Sequence, residues 1–285
     1  MVRTGLQRWH DVPVNLSSTA IVCTALRRPQ YLEPALASWQ QARGIGDVHS
    51  FTLALGHDRE TVAAQSVIYG SFLKAAGIGP GRGRVKMDSP QAAASRGMGR
   101  AIGEAAVHVL ADPAVEFVVF GEEDIIVSSD VLEYFAWARE TFAADERVLC
   151  VLAHSAGGAG WDEPGIGLRD GDADQEAVRL LPYYNGWIWG TWRDRWEKTL
   201  GPTWDWDVTS GGAMDSGYDH QIHRRVIPRG GYVCVVPDAS RSQNIGRVGG
   251  WAAQEADFPG TQAASFRPER GAVTYRLREA SERAA

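Results

Sequence analysis

Apolar runs and amphipathic stretches alternate along the first half of the chain. The apolar run 19–26 is followed by Arg27, Arg28 and Pro29 and then by apolar residues at helical spacing, which predicts a strand, a turn and a helix. The alternation then continues as far as residue 153. The further predicted strands are 51–55, 115–120 and 148–153, and two further predicted helices are 60–75 and 91–110. Another helix is predicted to start at Asp130, whose side chain would cap it while Glu133 reaches back to the start of the helix.

Strand-like segments that are apolar almost throughout are typical of a sheet covered on both faces. Together with the strand and helix alternation, they predict an α/β fold: a mostly parallel, Rossmann-like sheet with helices on both faces and a smaller acceptor-side region. Such sheets bind their ligands at the carboxyl ends of the strands. The predicted parts are an N-terminal extension (1–18), a first half (19–154), a second half (155–250) and a C-terminal tail (251–285).

Composition narrows the class of protein without identifying it. The chain has 285 residues, 44% hydrophobic and 22% charged, which excludes a disordered or coiled-coil protein. No apolar run approaches the ~20 residues of a membrane-spanning helix, so we expect a soluble, cytoplasmic protein without membrane contact. The net charge of −6 argues against a general affinity for nucleic acid, although the stretch 224–247 is rich in arginine.

An acidic triplet follows the strand predicted at 115–120. The triplet consists of Glu122, Glu123 and Asp124, at the strand end where an open α/β sheet binds its ligand. The alternative is that the three residues belong to a solvated loop with no binding role. Neighbouring carboxylates at a buried strand end repel one another and lose hydration, so they need compensation by a cation or by hydrogen-bond donors. A divalent ion is the simplest compensation, and oxygen ligands favour Mn²⁺ or Mg²⁺ completed by water and a diphosphate.

Two later segments also suggest function. Residues 155–176 are rich in Gly and Asp and lack periodicity, which indicates either a lid or a disordered insertion. The segment 187–206 is dense in tryptophan, which is typical of a core but also of a sugar-binding platform. Asn185, Trp187 and Trp189 are therefore candidate acceptor-binding residues, with core packing as the alternative for the two tryptophans.

The order of several motifs resembles one family of enzymes. These motifs are TALRRPQYLEPALASW at the start, the triplet with Ile125 and the helix segment 130–135, then PYYNGWIWGTWRDRW, Gly217-Tyr218-Asp219, and PDASRSQNIGRVG. Together they resemble the GT-A class of nucleotide-sugar glycosyltransferases, and within it the inverting N-acetylglucosaminyltransferase I group. The resemblance covers roughly residues 19–250 in collinear order. It implies that 19–154 is a nucleotide-sugar-binding half and that 155–250 is an acceptor-binding and catalytic half.

The resemblance implies a role for each matching position. Asp124 would bind the metal, Asp219 would be the catalytic general base, and Glu122 and Glu123 would lie near the ribose of the donor. Arg27 would contact the uridine diphosphate and Asp58 the uracil, with Arg96 as a further donor-binding candidate. The chain departs from the family pattern at Glu123, where an Asp is usual, and at His220.

Other residues remain open alternatives. Asp205 and Asp207 could serve as the base in place of Asp219, or they could cap loops. His220 and His223 would share one helix face, so one of them could be a second metal ligand, although a packing role is the more frequent one for such histidines.

The sequence thus predicts a metal-dependent, inverting glycosyltransferase. Its donor would be a UDP-sugar, with N-acetylglucosamine favoured by the resemblance, and its acceptor would carry a hydroxyl. That acceptor could be a glycan or a hydroxylated base in viral DNA, and the protein would come from a bacterium or virus. The alternatives are a nucleotidyltransferase with the same carboxylate and metal chemistry, and a non-catalytic sugar-binding module.

Overall fold

The computed structural model shows strands and helices in the predicted order. It describes residues 15–56, 59–87, 98–155, 173–206, 217–248 and 262–278. The strands are β1 (Thr19–Ala25), β2 (Ser50–Leu55), β3 (Gly83–Met87), β4 (Phe117–Glu122), β5 (Ile125–Val127), β6 (Val148–Leu152), β7 (Ala177–Leu181), β8 (Trp189–Trp192), β9 (Val233–Pro237), β10 (Ser242–Asn244) and β11 (Arg276–Leu277). The longer helices are α1 (Pro29–Gln40), α2 (Arg59–Ala75), α3 (Met98–Leu110) and α4 (Val131–Phe142).

Two further helices are built from short turns of different type. The first, α5, joins Arg193–Arg195, the π turn Trp196–Leu200 and Gly201–Thr203. The second, α6, joins Tyr218–Gln221, the π turn Ile222–Val226 and Ile227–Gly230. Within the described part of the chain, no helix has the length and apolar character that crossing a bilayer requires.

The main sheet is mixed and mostly parallel, which confirms the predicted fold class. Its strand order is β11-β7-β9-β6-β8-β4-β1-β2-β3. Among the pairings between described strands, five are parallel and three are antiparallel, the latter made by β8 with β4 and β6 and by β7 with β9. A separate two-stranded sheet pairs β5 with β10 directly after the acidic triplet.

Each face of the sheet carries its own apolar core because side chains alternate along a strand. On one face, Ile21 and Val119 pack with α1, α2 and α4; on the other, Val22 and Val118 pack with α3 and the α5–α6 region. Helix α1 shows how the sequence produces this arrangement. It starts at a proline, and its buried residues recur at helical spacing: Leu32, Ala35, Leu36 and Trp39.

The predicted cap of α4 is wrong in its chemistry. Asp130 precedes the helix but makes no side-chain capping hydrogen bond. It is fully buried instead, accepts a hydrogen bond from Tyr275 at 2.9 Å and lies 3.4 Å from the Arg241 guanidinium. Glu133, expected to reach back, pairs with Arg43 at 2.5 Å. Ionic partners from distant segments replace the local backbone donor at both positions.

The predicted halves share the main sheet. Strand β8 comes from the predicted acceptor half, yet it lies between β4 and β6 of the predicted nucleotide-binding half. Residues 262–278, from the predicted tail, add β11 to the sheet edge and Tyr275 to the core. The predicted lid falls largely outside the described residues, since 156–172 are not described.

Candidate active site

The turn after β1 and the acidic triplet lie side by side at one edge of the sheet. Strands β1 and β4 are parallel neighbours, and Thr24 near the end of β1 is paired with Glu122 at the end of β4. Parallel strands deliver their carboxyl ends to the same edge, so the turn that contains Arg28 meets the triplet directly. Two segments almost a hundred residues apart in sequence therefore form one wall of the site.

Glu123 connects the triplet to the turn after β1 through hydrogen bonds. One carboxylate oxygen accepts the backbone N–H of Leu26 at 2.8 Å, and the other accepts Arg28 Nε at 2.9 Å. Gln65 from α2 donates a further bond at 3.4 Å, and Glu123 is only 1% exposed. Burial raises the pKa of Glu123, and the Arg28 charge opposes that rise. The predicted ribose contact does not fit this residue, because the protein's own donors occupy both oxygens.

Asp124 has one oxygen paired and one free of hydrogen bonds. Its Oδ2 lies 2.7 Å from Arg28 Nη1, and the residue is 6% exposed. Its Oδ1 is buried and has no hydrogen-bond partner among the described residues. The segment after β10 closes over the carboxylate: Ile245 donates its N–H to the Asp124 carbonyl at 2.8 Å, and a side chain at Gly246 would collide with Oδ2. Asp124 thus presents a desolvated lone oxygen, the kind of group that a divalent cation compensates.

Asp219 lies at the same edge as the triplet. Its charge contributes to the raised pKa of Glu122, after burial and the charge of Asp124. Asp219 Oδ1 accepts the backbone N–H of His220 at 2.8 Å, and a methyl group at Gly186 would contact the Asp219 side chain at 3.4 Å. The structure therefore brings together the residues predicted for the metal and for the base.

The candidate acceptor residues separate into two groups. Asn185 Oδ1 accepts the N–H of Trp187 at 2.9 Å, and both residues are partly exposed and flank Gly186. Trp189, by contrast, is fully buried, stacks on Phe120 with ring centroids 4.5 Å apart, and belongs to the core. The prediction that Trp189 binds acceptor is wrong, because no surface of that ring is accessible.

His154 is a member of this region that the sequence did not indicate. It follows β6, which runs parallel to β4, so it lies at the same edge as the triplet. Its ring contacts Trp187 edge-on with centroids 4.4 Å apart, and it is 1% exposed. Burial lowers the pKa of His154 to about 4. Its position directly after an apolar strand, like that of the triplet, is the sequence signal that could have revealed it.

Of the three donor-binding candidates, Arg27 lies within the described residues, and it is not part of the site. Arg27 is exposed, and it is the next residue, Arg28, that reaches the triplet. Asp58 and Arg96 lie outside the described residues, so their predicted roles stay predictions. The choice between two adjacent arginines depends on which one the turn directs inward, and composition carries no information about that.

Among the remaining alternatives, Asp205 and His223 make contacts of their own. Asp205 accepts a hydrogen bond from Gln221 at 3.0 Å, and Asp207 lies outside the described residues. His223 accepts the backbone N–H of Tyr184 at 3.3 Å. Within the described ranges, no group of three or more His, Cys, Asp or Glu side chains could hold a metal ion.

Among the solved structures to which the chain is similar, three share low sequence identity with it. No protein-family model matches the chain, and no curated protein sequence matches it. A mannosyltransferase from Pyrobaculum calidifontis in complex with GDP-Man and Mn²⁺ is 17% identical over 81% of this chain and 60% of its own, with a TM-score of 0.48. S. aureus TarS (1–349) is 11% identical over 72% and 54%, with a TM-score of 0.49. The same TarS fragment with UDP is 12% identical, with a TM-score of 0.48.

The chain spans only 54–60% of the length of those three structures. The resemblance to the N-acetylglucosaminyltransferase I group remains a prediction from the sequence motifs. The function is therefore inferred from the residues of the site.

Proposed function

We propose that this protein is a glycosyltransferase that moves a sugar from a UDP-sugar to an acceptor hydroxyl, with a divalent ion and with inversion at the anomeric carbon. The observation that supports this most is the shared location of the two carboxylates at one edge of the sheet. Asp124 follows β4, and the Asp219 side chain lies against Gly186, in the segment that leads into β8 beside the end of β4. Metal ligand and base must flank one donor sugar, so a protein that placed them on opposite sides could not perform the reaction.

Asp124 is the residue that would hold the ion. Its buried Oδ1 has no hydrogen-bond partner among the described residues, and carboxylate oxygen is a preferred ligand of Mn²⁺ and Mg²⁺. When bound, the ion neutralises negative charge on the departing diphosphate. Glu122 is half-buried beside Asp124 and is the carboxylate of the triplet that remains available for the donor. Glu123 holds the turn and takes no direct part.

Asp219 is the proposed general base. Its carboxylate accepts the proton of the acceptor hydroxyl while the acceptor oxygen forms a bond to the anomeric carbon. The bond from that carbon to the diphosphate oxygen breaks in the same step, and the electron pair leaves with the nucleotide. The hydrogen bond from the His220 N–H fixes the carboxylate and leaves its second oxygen for the acceptor. A single displacement of this kind inverts the configuration.

The acceptor is proposed to approach over Trp187 and Asn185. Both are partly exposed and flank Gly186, which touches Asp219. A half-buried tryptophan ring suits the apolar face of a sugar or of a nucleobase. Helix α6, which begins with Asp219's turn, also exposes Arg224, Arg225 and Arg229, whereas Arg241 is fully buried and serves the core. Because these arginines are exposed, two classes of acceptor should be tested, a nucleic acid and a glycan.

The test is product analysis with a panel of UDP-sugars in the presence of Mn²⁺. We expect release of UDP that stops in EDTA and in Asp124→Asn. Asp219→Asn should lower turnover by about 10²- to 10⁴-fold, the usual worth of a positioned base, while UDP still binds. Asp145→Asn, which removes a carboxylate paired with the exposed Arg147, is the matched control and should leave turnover unchanged.

Three outcomes would contradict the proposal. Release of pyrophosphate instead of UDP would indicate a nucleotidyltransferase. Binding of sugar without any donor turnover would indicate a binding module. Full activity of Asp124→Asn in EDTA would show that the reaction needs no metal ion at Asp124.

A further inference from the structure

Arg28 bridges the two most buried carboxylates of the triplet. Its Nε lies 2.9 Å from Glu123 Oε1 and its Nη1 lies 2.7 Å from Asp124 Oδ2, with the arginine side chain 14% exposed. One guanidinium thus spans two neighbouring acids, a geometry that its planar fork favours. The sequence suggested a divalent ion as the compensation for these charges, whereas the structure supplies a cation from the chain itself.

The guanidinium is supported from its other side. It lies over the ring of Tyr31 with 5.5 Å between Cζ and the ring centroid, an arrangement in which the ring face attracts the cation. The hydroxyl of Tyr31 accepts the N–H of Val248 at 2.9 Å, so the ring is fixed by the segment that follows Gly246. The Arg28 side chain is therefore held between an aromatic ring and two carboxylates.

Only one oxygen of Asp124 is engaged by Arg28. Oδ2 lies 2.7 Å from the guanidinium and close to the backbone of Gly246. Oδ1 is the oxygen without a hydrogen-bond partner in the described part of the chain. The pairing consequently orients the carboxylate so that a single, defined oxygen is left for an incoming ion.

We propose that Arg28 is a built-in counter-ion and positioning residue for Asp124, which stabilises the acidic triplet before any metal arrives and leaves Oδ1 as the metal-binding oxygen. The identity of the ion and of the donor rests on the proposed function. The counter-ion role itself does not, because it concerns the metal-free protein.

Two consequences separate this role from ordinary packing. Without Arg28, the triplet has lost its fixed positive charge, so the metal-free fold should weaken and a divalent ion should restore it. Removal of a positive charge 2.7 Å from a metal-binding carboxylate should also strengthen the binding of the ion alone, since like charges repel at short range. A residue that acted only through packing would show neither effect.

The experiment measures the melting temperature in EDTA and in millimolar Mn²⁺. Arg28→Gln should melt more than about 5 °C below the wild type in EDTA, and Mn²⁺ should recover most of that loss. Mn²⁺ alone should raise the wild-type melting temperature by less than about 2 °C. Arg28→Lys, which keeps the charge but loses the bridge, should fall between the two. Arg147→Gln is the control, because it removes an arginine from an exposed ion pair and should respond to neither condition.

A second readout is the affinity for Mn²⁺ without nucleotide, measured by titration calorimetry. Arg28→Gln should bind Mn²⁺ at least about tenfold more tightly than the wild type. The proposal is overturned if Arg28→Gln melts like the wild type in EDTA, or if its loss of stability is not reversed by Mn²⁺.

A variant that does not fold still gives an answer. Arg28→Gln combined with Glu123→Gln removes one positive and one negative charge together, so the counter-ion role predicts that the double variant folds. Failure of the double variant as well would assign Arg28 to packing and overturn the proposal. The function is tested separately: if Mn²⁺ with UDP does not stabilise the wild type, the proposed function fails while the behaviour of Arg28→Gln in EDTA still decides the counter-ion role.

Discussion

The buried His154 should make stability fall on mild acidification. Burial lowers its pKa from 6.5 to about 4 in the folded protein, so between these values the unfolded chain binds a proton that the folded chain does not. Protonation then favours unfolding. The contribution of His154 to the free energy of unfolding is therefore fully present above pH 6.5, decreases as pH falls, and is lost below pH 4.

The size of the effect follows from that difference in pKa. A shift of this size corresponds to about 3 kcal/mol when fully expressed, at about 1.4 kcal/mol per unit. At pH 5 the unfolded histidine is almost wholly protonated and the folded one is not, which gives a loss of about 2 kcal/mol relative to pH 7.

The assay is urea unfolding of the wild type and of His154→Gln at pH 7 and pH 5. Carboxylates titrate in both proteins, so the difference between the two pH responses isolates His154. We expect the wild type to lose about 2 kcal/mol more than the variant. His108→Gln, at an exposed position of α3, is the comparison variant. Partial burial and the charges of Arg84 and Lys86 also lower the pKa of His108, but we expect a smaller change in the pH response than for His154→Gln. A difference below about 0.5 kcal/mol for His154→Gln would refute the reasoning, because it would mean that the folded ring accepts a proton freely.

Three further substitutions test the wall of the site and the core. Gly246→Ala places a methyl group against Asp124 Oδ2 and should weaken Mn²⁺-dependent UDP binding about tenfold or more, as measured by calorimetry, whereas Gly271→Ala, where a methyl group meets nothing within 4 Å, should not. Trp189→Ala should cost ~3–5 kcal/mol of unfolding free energy in urea, and an effect confined to activity would contradict its place in the core. Asp130→Asn should cost ~3–5 kcal/mol because it leaves buried arginines unpaired, and wild-type stability in urea would show that the cluster is neutralised in another way.

Local patterns predicted most elements of the fold because their physics is local. The apolar strands and the spacing of Leu32, Leu36 and Trp39 identified the β1–α1 unit almost to the residue. The pairing of β8 between β4 and β6 could not be read from sequence, since an antiparallel insertion depends on contacts between distant segments.

The site was predictable as a location but not as an arrangement. An acidic triplet after an apolar strand identified the end of β4, where the candidate site lies. The separate tasks of Glu123 and Asp124 depend on the backbone of Leu26 and on Arg28, nearly a hundred residues earlier in the chain. Trp189 was misassigned because it is the first residue of β8, so its ring packs in the core on one face of the sheet. Trp187 precedes the strand and remains partly exposed.

We propose that a divalent ion, brought together with a nucleotide diphosphate, binds at Asp124 opposite Asp219. The most direct measurement is an anomalous difference map from crystals grown with MnCl₂ and UDP. We expect a single strong manganese peak in contact with the Asp124 carboxylate and with the diphosphate, on the side that faces Asp219. A manganese peak elsewhere on the protein, or UDP bound at this edge without any ion, would show that Asp124 is not the metal ligand.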